Sequence, residues 1–230
     1  MDSDFRQAYL LHRRPYSDSQ ILLDVLVEGV GQLKMLARVK GKQSLKHNAQ
    51  LRPFSLLLLQ YAGRYDFKYI NRFEPTDNQV TLTGRQLYCG LYLNELTQRV
   101  VPVNEPLEQI FELYQLHLTR LSNEPDVEPI LRSFELQLLA ELGFGVELEF
   151  DAEGNPVSPQ SAYKYVAEYG FVAVGREPDT IPGQSLLAIA QQDFSDLGVR
   201  RAAKLLTRRL MQPLLGKQGL KSRELFISKK

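Results

Sequence analysis

The chain has 230 residues, 43% hydrophobic, 24% charged and 10% aromatic, with 28 Lys/Arg against 27 Asp/Glu. That composition excludes a disordered chain and allows one large or two small domains, each with its own core. The single cysteine, Cys89, excludes an intramolecular disulfide and a cysteine-based structural zinc site, and reads as a small buried helix residue.

The acidic start, Met1-Asp2-Ser3-Asp4, lacks the basic and apolar regions of a signal peptide, so a cytoplasmic protein is expected. Residues 6 to 12 and 20 to 28 are rich in aliphatics, and Gly29-Val30-Gly31 turns the chain into a hairpin partner over 32 to 39. Residues 54 to 60, a turn at Gly63 and the alternating segment 65 to 73 complete five short strands, which predicts a small closed barrel. Beyond Pro75 the period becomes helical, over 84 to 100, 107 to 121 and about 128 to 142, where Gly143 and Gly145 end the third helix. Residues 146 to 178 return to strand-like alternation, and 184 to 192 and 193 to 215 to helix. The expected class is α+β: a barrel domain over 1 to 80, then a helical domain over 81 to 230 with a small β insertion at about 146 to 178.

The near-zero net charge hides three blocks. Residues 1 to 80 carry 12 Lys/Arg and 8 Asp/Glu, residues 81 to 199 carry 6 and 18, and residues 200 to 230 carry 10 and 1. Two separated basic surfaces suggest a polyanionic partner. In the barrel, Lys34, Arg38, Lys40, Lys42 and Lys46 occupy a strand end and the loop after it, placed either to track a phosphate backbone or simply to solubilise a loop. On the last long helix, Val199, Ala203, Leu206, Leu210 and Leu214 share one side, and Arg200, Arg201, Lys204 and Arg208 the opposite arc. The alternating Tyr65, Phe67, Tyr69 and Phe73 offer a base-stacking platform, but alternation favours barrel core.

Signals for catalysis are weak. His12, His47 and His117 fall in three elements without metal-ligand spacing, and Gly41-Lys42 and Gly216-Lys217 lack the rest of a phosphate-binding loop. Glu147, Glu149, Asp151 and Glu153 alternate with Val146, Leu148, Phe150 and Ala152. Paired carboxylates there suit Mg²⁺, yet the alternation favours the wet side of a half-buried strand. Arg132 stands out in the acidic block, on a helix where Leu131, Phe134, Leu138 and Leu139 are apolar. It suits either a neighbouring carboxylate, Glu128 or Glu135, or the terminal carboxylate of a partner peptide whose aromatic side chain fills an apolar groove.

The ordered segments Ser17-Asp18-Ser19, Lys40-Gly41-Lys42, Leu51-Arg52-Pro53-Phe54, Tyr92-Leu93-Asn94-Glu95-Leu96, Arg132-Ser133-Phe134-Glu135-Leu136, Gly143-Phe144-Gly145 and Leu220-Lys221-Ser222-Arg223-Glu224-Leu225-Phe226 resemble the bacterial RecO family of recombination mediators across essentially the whole chain. The resemblance implies an N-terminal OB fold and a helical domain. It also implies binding of single- and double-stranded DNA, annealing of complementary strands, and cooperation with RecR in loading RecA onto DNA covered by single-strand-binding protein (SSB). By similarity, Arg132 is expected to hold the carboxylate of the SSB C-terminal tail, with Phe134 and Leu138 as groove residues. Lys221 and Arg223 join the basic residues expected at DNA. Many family members carry four zinc-binding cysteines in the insertion; this chain has none there, so zinc and other cofactors are not expected.

A non-enzymatic mediator associated with the nucleoid is therefore expected, its basic surfaces neutralising phosphates on two strands. Two other classes stay open: a metal-dependent nuclease using the acids at 147 to 153, and an adaptor whose basic surfaces meet an acidic protein.

Overall fold

A computed structural model describes residues 4–38, 50–63, 66–175 and 177–226. Strands β1 (Arg6–Ser17), β2 (Gln20–Val27), β3 (Gly31–Arg38), β4 (Ser55–Ala62) and β5 (Phe67–Gln79) close into a barrel in the order β1-β2-β3-β5-β4. The β3–β5 pair is parallel and the other pairs are antiparallel. Alternate residues such as Leu23, Val25, Leu33, Met35, Leu57 and Leu59 fill its core. Closure depends on β1, which pairs with β2 along most of its length and with β4 through Arg6–Tyr9. A bulge at Leu11 lets one strand bend to serve both neighbours.

The helices are α1 (Gly84–Val100), α2 (Glu108–Asn123) and α3 (Val127–Glu141). A three-stranded sheet follows, β6 (Ala162–Val166), β7 (Gly170–Val174) and β8 (Ile181–Pro182), and then α4 (Gly183–Ala190) and α5 (Leu197–Leu215). A 3-10 turn over Lys221–Phe226 ends the described chain. Contacts divide the chain into Met1–Val127 with Leu214–Lys230, and Glu128–Pro213. Strand gives way to helix near residue 80, but compactness groups α1 and α2 with the barrel.

In the first unit the bulge is also an anchor. Asn94 of α1 donates from Nδ2 to the Leu11 carbonyl (3.2 Å), and the buried Tyr114 hydroxyl of α2 donates to Asn94 Oδ1. Tyr9 packs its ring on Phe111 and Tyr114, with centroids 5.4 and 5.0 Å away. Gly31 opens β3 at φ +93°, and a Cβ there would lie 2.3 Å from the Glu105 carbonyl oxygen. Only glycine lets the chain after α1 come this close, with Asn104 N–H donating to Gln32 O.

The C-terminal segment is held to α1 in the same way. Glu95 accepts N–H bonds from Lys221 and Ser222, both 2.8 Å, and a third from the Ser222 hydroxyl. Arg99 donates to the carbonyls of Leu215 and Gly219. The Tyr92-Leu93-Asn94-Glu95-Leu96 and Lys221-Ser222-Arg223 segments are thus joined through Glu95, the backbone at Lys221 and Ser222, and the Ser222 hydroxyl.

In the second unit the insertion departs from the predicted alternation. Residues 146 to 161 are a loop with one bridge, Phe150 to Pro156, and the sheet begins at Ala162. Asp151 organises this loop by accepting N–H bonds from Glu153 (3.0 Å) and Asn155 (2.8 Å). Val157 of the loop, Tyr163 of β6 and Phe171 of β7 are buried.

Candidate nucleic-acid interface

Strand register places two rows across the outside of the barrel. His12, Asp24, Lys34 and Phe67 form one, and Arg14, Leu22, Leu36 and Tyr69 the next; Gln20 and Arg38 pair beyond them. Arg14 and Arg38 are exposed and Lys34 is half-buried. Tyr16 and Tyr69 are about half exposed, and Tyr16 meets Phe67 with ring centroids 6.0 Å apart. The middle of each row is buried, at Asp24 in the first and at Leu22 and Leu36 in the second, so the cations and rings stand toward its ends. Cations beside aromatic rings are the combination that holds a phosphate backbone while stacking bases.

Lys34 and Arg38 are predicted members of this surface; Lys40, Lys42, Lys46 and Tyr65 lie outside the described residues. Arg14 and Tyr16 were not singled out by sequence, although Arg13-Arg14-Pro15-Tyr16 is a visible basic-aromatic run. Tyr69 corrects the expectation that its whole alternating face is core. A bulge at Asn71 changes the parity of β5: Gln60 pairs with Arg72, but Tyr61 pairs with Ile70. Ile70 and Phe73 therefore pack on the core while Phe67 and Tyr69 turn outward.

On α5 the expected stripe is only partly a free surface. Asp196 caps the helix, accepting from the N–H groups of Gly198 (2.7 Å) and Val199 (3.0 Å). Arg200 bends back to donate to the Phe194 carbonyl, and the half-buried Lys204 lies 3.8 Å from Glu128. Arg201 and Arg208 are exposed, as is Arg209, which the predicted arc omitted. At the C-terminal turn Lys221 is exposed, while Arg223 is half-buried with its guanidinium 6.0 Å above the Tyr92 ring.

Arg132 and its predicted companions are interior. Phe134 and Leu138 are 0% exposed, so they pack the core rather than line an open groove. Arg132 donates to Glu135 Oε1 at 2.7 Å; Thr207 of α5 donates to Glu135 Oε2 and lies 3.4 Å from Arg132 Nη1. The residues on either side of a helix segment explain this: Leu131, Phe134, Leu138 and Leu139 leave little solvent-facing arc for residue 132. The open apolar cleft is instead one turn further on, a volume of about 180 Å³ lined by Leu136, Leu139, Ala140, Val146, Leu148 and Ile189, among others. Gln192 lies at this cleft, where it accepts from Ser133 at 2.6 Å.

No three His, Cys, Asp or Glu side chains among the described residues come together as metal ligands. Asp151 and Glu147 spend their carboxylates on loop N–H groups, and those from Asn155 contribute most to holding Asp151 below the usual carboxylate range. No described helix is long and apolar enough to cross a membrane.

Two family models cover the chain almost end to end: Recombination protein O N terminal matches residues 1–79, and Recombination protein O C terminal matches residues 82–224. The chain belongs to the RecO family. It is 55% identical over 228 residues to the DNA repair protein RecO of Pseudoalteromonas translucida (strain TAC 125), covering 99% of each chain. The DNA repair protein RecO of Haemophilus influenzae (strain 86-028NP) is 41% identical, covering 98% of this chain and 97% of its own. That of Vibrio parahaemolyticus serotype O3:K6 (strain RIMD 2210633) is 40% identical, covering 97% and 93%. The closed five-stranded barrel followed by helices and a small sheet is the OB-type α+β arrangement expected of a RecO chain.

Proposed function

We propose that this RecO-family protein is a non-enzymatic mediator of DNA repair and recombination that holds DNA on the outer barrel face. The supporting observation is that Arg14 and Tyr16 of β1, Lys34 and Arg38 of β3, and Phe67 and Tyr69 of β5 stand on the outer side of the barrel, around the buried Leu22, Asp24 and Leu36. Stacking is sequence-tolerant and phosphate contact is sequence-independent, so this surface suits single strands of any sequence. Arg201, Arg208 and Arg209 of α5, with Lys221, supply further cations for double-stranded or second-strand phosphates. Neutralising two strands at once lowers their repulsion and favours annealing.

In this reading the SSB tail takes the cleft lined by Leu136, Leu139, Val146, Leu148 and Ile189, its aromatic side chain in the apolar volume. Arg132 acts as a positioning residue, bracing α3 against α5 through Glu135 and Thr207. Contact with the tail brings the protein to SSB-covered DNA, where it works with RecR to load RecA.

The test is the affinity of the intact protein for labelled single-stranded DNA across a salt series. Log affinity is expected to fall with log salt at a slope of about −0.7 per contacted phosphate. Arg14→Glu with Lys34→Glu should flatten that slope, and Tyr69→Ala should weaken binding at every salt concentration. Unchanged affinity in the charge-reversed variant would move DNA off this face.

A further inference from the structure

Beneath the outer face of the barrel lies a carboxylate. Asp24 of β2 is 1% exposed and is the only acid in the two rows of residues that cross that face. Gln98 of α1 donates from Nε2 to Asp24 Oδ2 at 3.2 Å, while Oδ1 has no hydrogen-bond partner among the described residues. A buried carboxylate served by one neutral donor is costly unless a cation compensates it. His12 and Lys34 flank Asp24 in its row, and the ion-pair contact among the described residues is with His12, whose Nδ1 lies 3.6 Å from Oδ2.

His12 connects this interior charge to the outside, because its side chain is 54% exposed. The charged groups on its face are Asp24 of β2, Lys34 of β3 and Arg14 of β1 itself. From α1 it meets the neutral Gln98 beside Asp24, while Glu95 and Arg99 of that helix are bound to the C-terminal segment. Strand β4 pairs with β1 only through Arg6–Tyr9, before His12 is reached.

Protonation changes what such a ring offers. An imidazolium has two N–H donors, one for Asp24 and one for a phosphate oxygen. A neutral imidazole that directs its single N–H at Asp24 presents a lone pair at Nε2, which repels phosphate. The charges act in the same sense: the protonated pair sums to zero, whereas the neutral ring leaves a buried negative charge under a surface that must accept phosphates.

We propose that His12 is a proton-dependent phosphate contact on the outer barrel face, so that single-stranded DNA is held more tightly by the imidazolium than by the neutral ring. This rests on the reading of that face as the DNA surface. Histidine is the side chain whose charge ordinarily changes between pH 5 and 8, so the contact is made and lost within a range in which the DNA phosphates keep their charge.

The test is the affinity of the intact protein for labelled oligothymidylate at about pH 6 and about pH 8, each across a salt series. The wild type should bind about two- to fivefold more tightly at the lower pH, the scale of one screened ion pair. Its slope of log affinity against log salt should be steeper there by about 0.7, one added phosphate contact. His12→Gln, at an exposed position, should remove both differences, and His47→Gln should keep them. A wild type indifferent to pH, or a pH difference that survives His12→Gln, would overturn the proposal. Arg14→Glu with Lys34→Glu separates the two readings: unchanged affinity in that variant removes DNA from the face altogether, whereas weakened binding beside a pH-indifferent wild type removes only the proton-dependent contact.

Discussion

The two units hold their helices by different chemistry. In the first, α1 is tied to the barrel and to the C-terminal segment by bonds from side chains to backbone: Asn94 to Leu11, Arg99 to Leu215 and Gly219, and Glu95 from Lys221 and Ser222. In the second, a buried ion pair within α3, Arg132 with Glu135, is joined to α5 by the Thr207 hydroxyl. Stability in the first is spread over many modest bonds. In the second, the polar link includes a pair in which removal of one partner leaves an uncompensated charge.

The largest effect that sharpens this contrast should come from Arg132→Ala. Stranding the Glu135 carboxylate is expected to cost about 3–5 kcal/mol in denaturant unfolding. Replacing both residues, Arg132→Met with Glu135→Leu, should recover most of that loss, and equal instability in the double variant would break the comparison. A loss of SSB-tail binding in Arg132→Ala therefore has to be separated from unfolding, which the double variant does.

Asn94→Leu should be the next largest, because it orphans the Leu11 carbonyl and the Tyr114 hydroxyl at about 1–3 kcal/mol each. Its unfolding midpoint should fall with little change in affinity for DNA, since neither group reaches the outer face. If affinity falls as far as stability, the bulge also positions the binding surface.

Acid should act on the first unit in two steps. Burial holds His117 below its ordinary value near 6.5, outweighing the bond from its ring to Leu113 O. Burial raises Glu95, but the bonds from Ser222 and Lys221 and the charge of Arg99 outweigh it, leaving the carboxyl below its ordinary value near 4.5. For both groups the unfolded chain binds protons more readily than the folded one, so their contributions are complete above the ordinary values and are lost as pH falls. The melting temperature should drop first below about 6.5 and again below about 4.5. His117→Gln should remove the first step, and Glu95→Gln should reduce the second.

The smallest effects on stability belong to the surface, where function is expected to be most sensitive. Tyr69→Ala should leave the melting temperature nearly unchanged and weaken single-stranded DNA binding by about 1–3 kcal/mol, read by titration. An unaltered affinity would return Tyr69 to a merely exposed residue.

Much of the architecture is legible in the residues alone. Aliphatic alternation and the Gly29-Val30-Gly31 turn locate five strands, although β1 runs on to Ser17 and β5 through Pro75 to Gln79, beyond the expected ends at 12 and 73, and helical periods locate α1, α2 and α3. These are local properties: the backbone repeats every two residues or every 3.6, and apolar spacing follows. The insertion is less legible, because the acids at 147 to 153 alternate like a strand yet serve a loop whose conformation depends on the Asp151 bonds.

The sequence by itself determined the α+β order, the charge blocks and, through ordered segments spread over the chain, the RecO resemblance. Only the tertiary structure decided which members of those patterns face outward. Bulges at Leu11 and Asn71 reset strand parity, turning Tyr69 out and Ile70 in. Arg132, Phe134 and Leu138 are buried, and on α5 Arg200 and Lys204 are held by Phe194 and Glu128 whereas Arg201, Arg208 and Arg209 are exposed. The physical reason is that a side chain's environment is set by residues far away in the chain, whereas its place in a helix or strand is set largely by its neighbours.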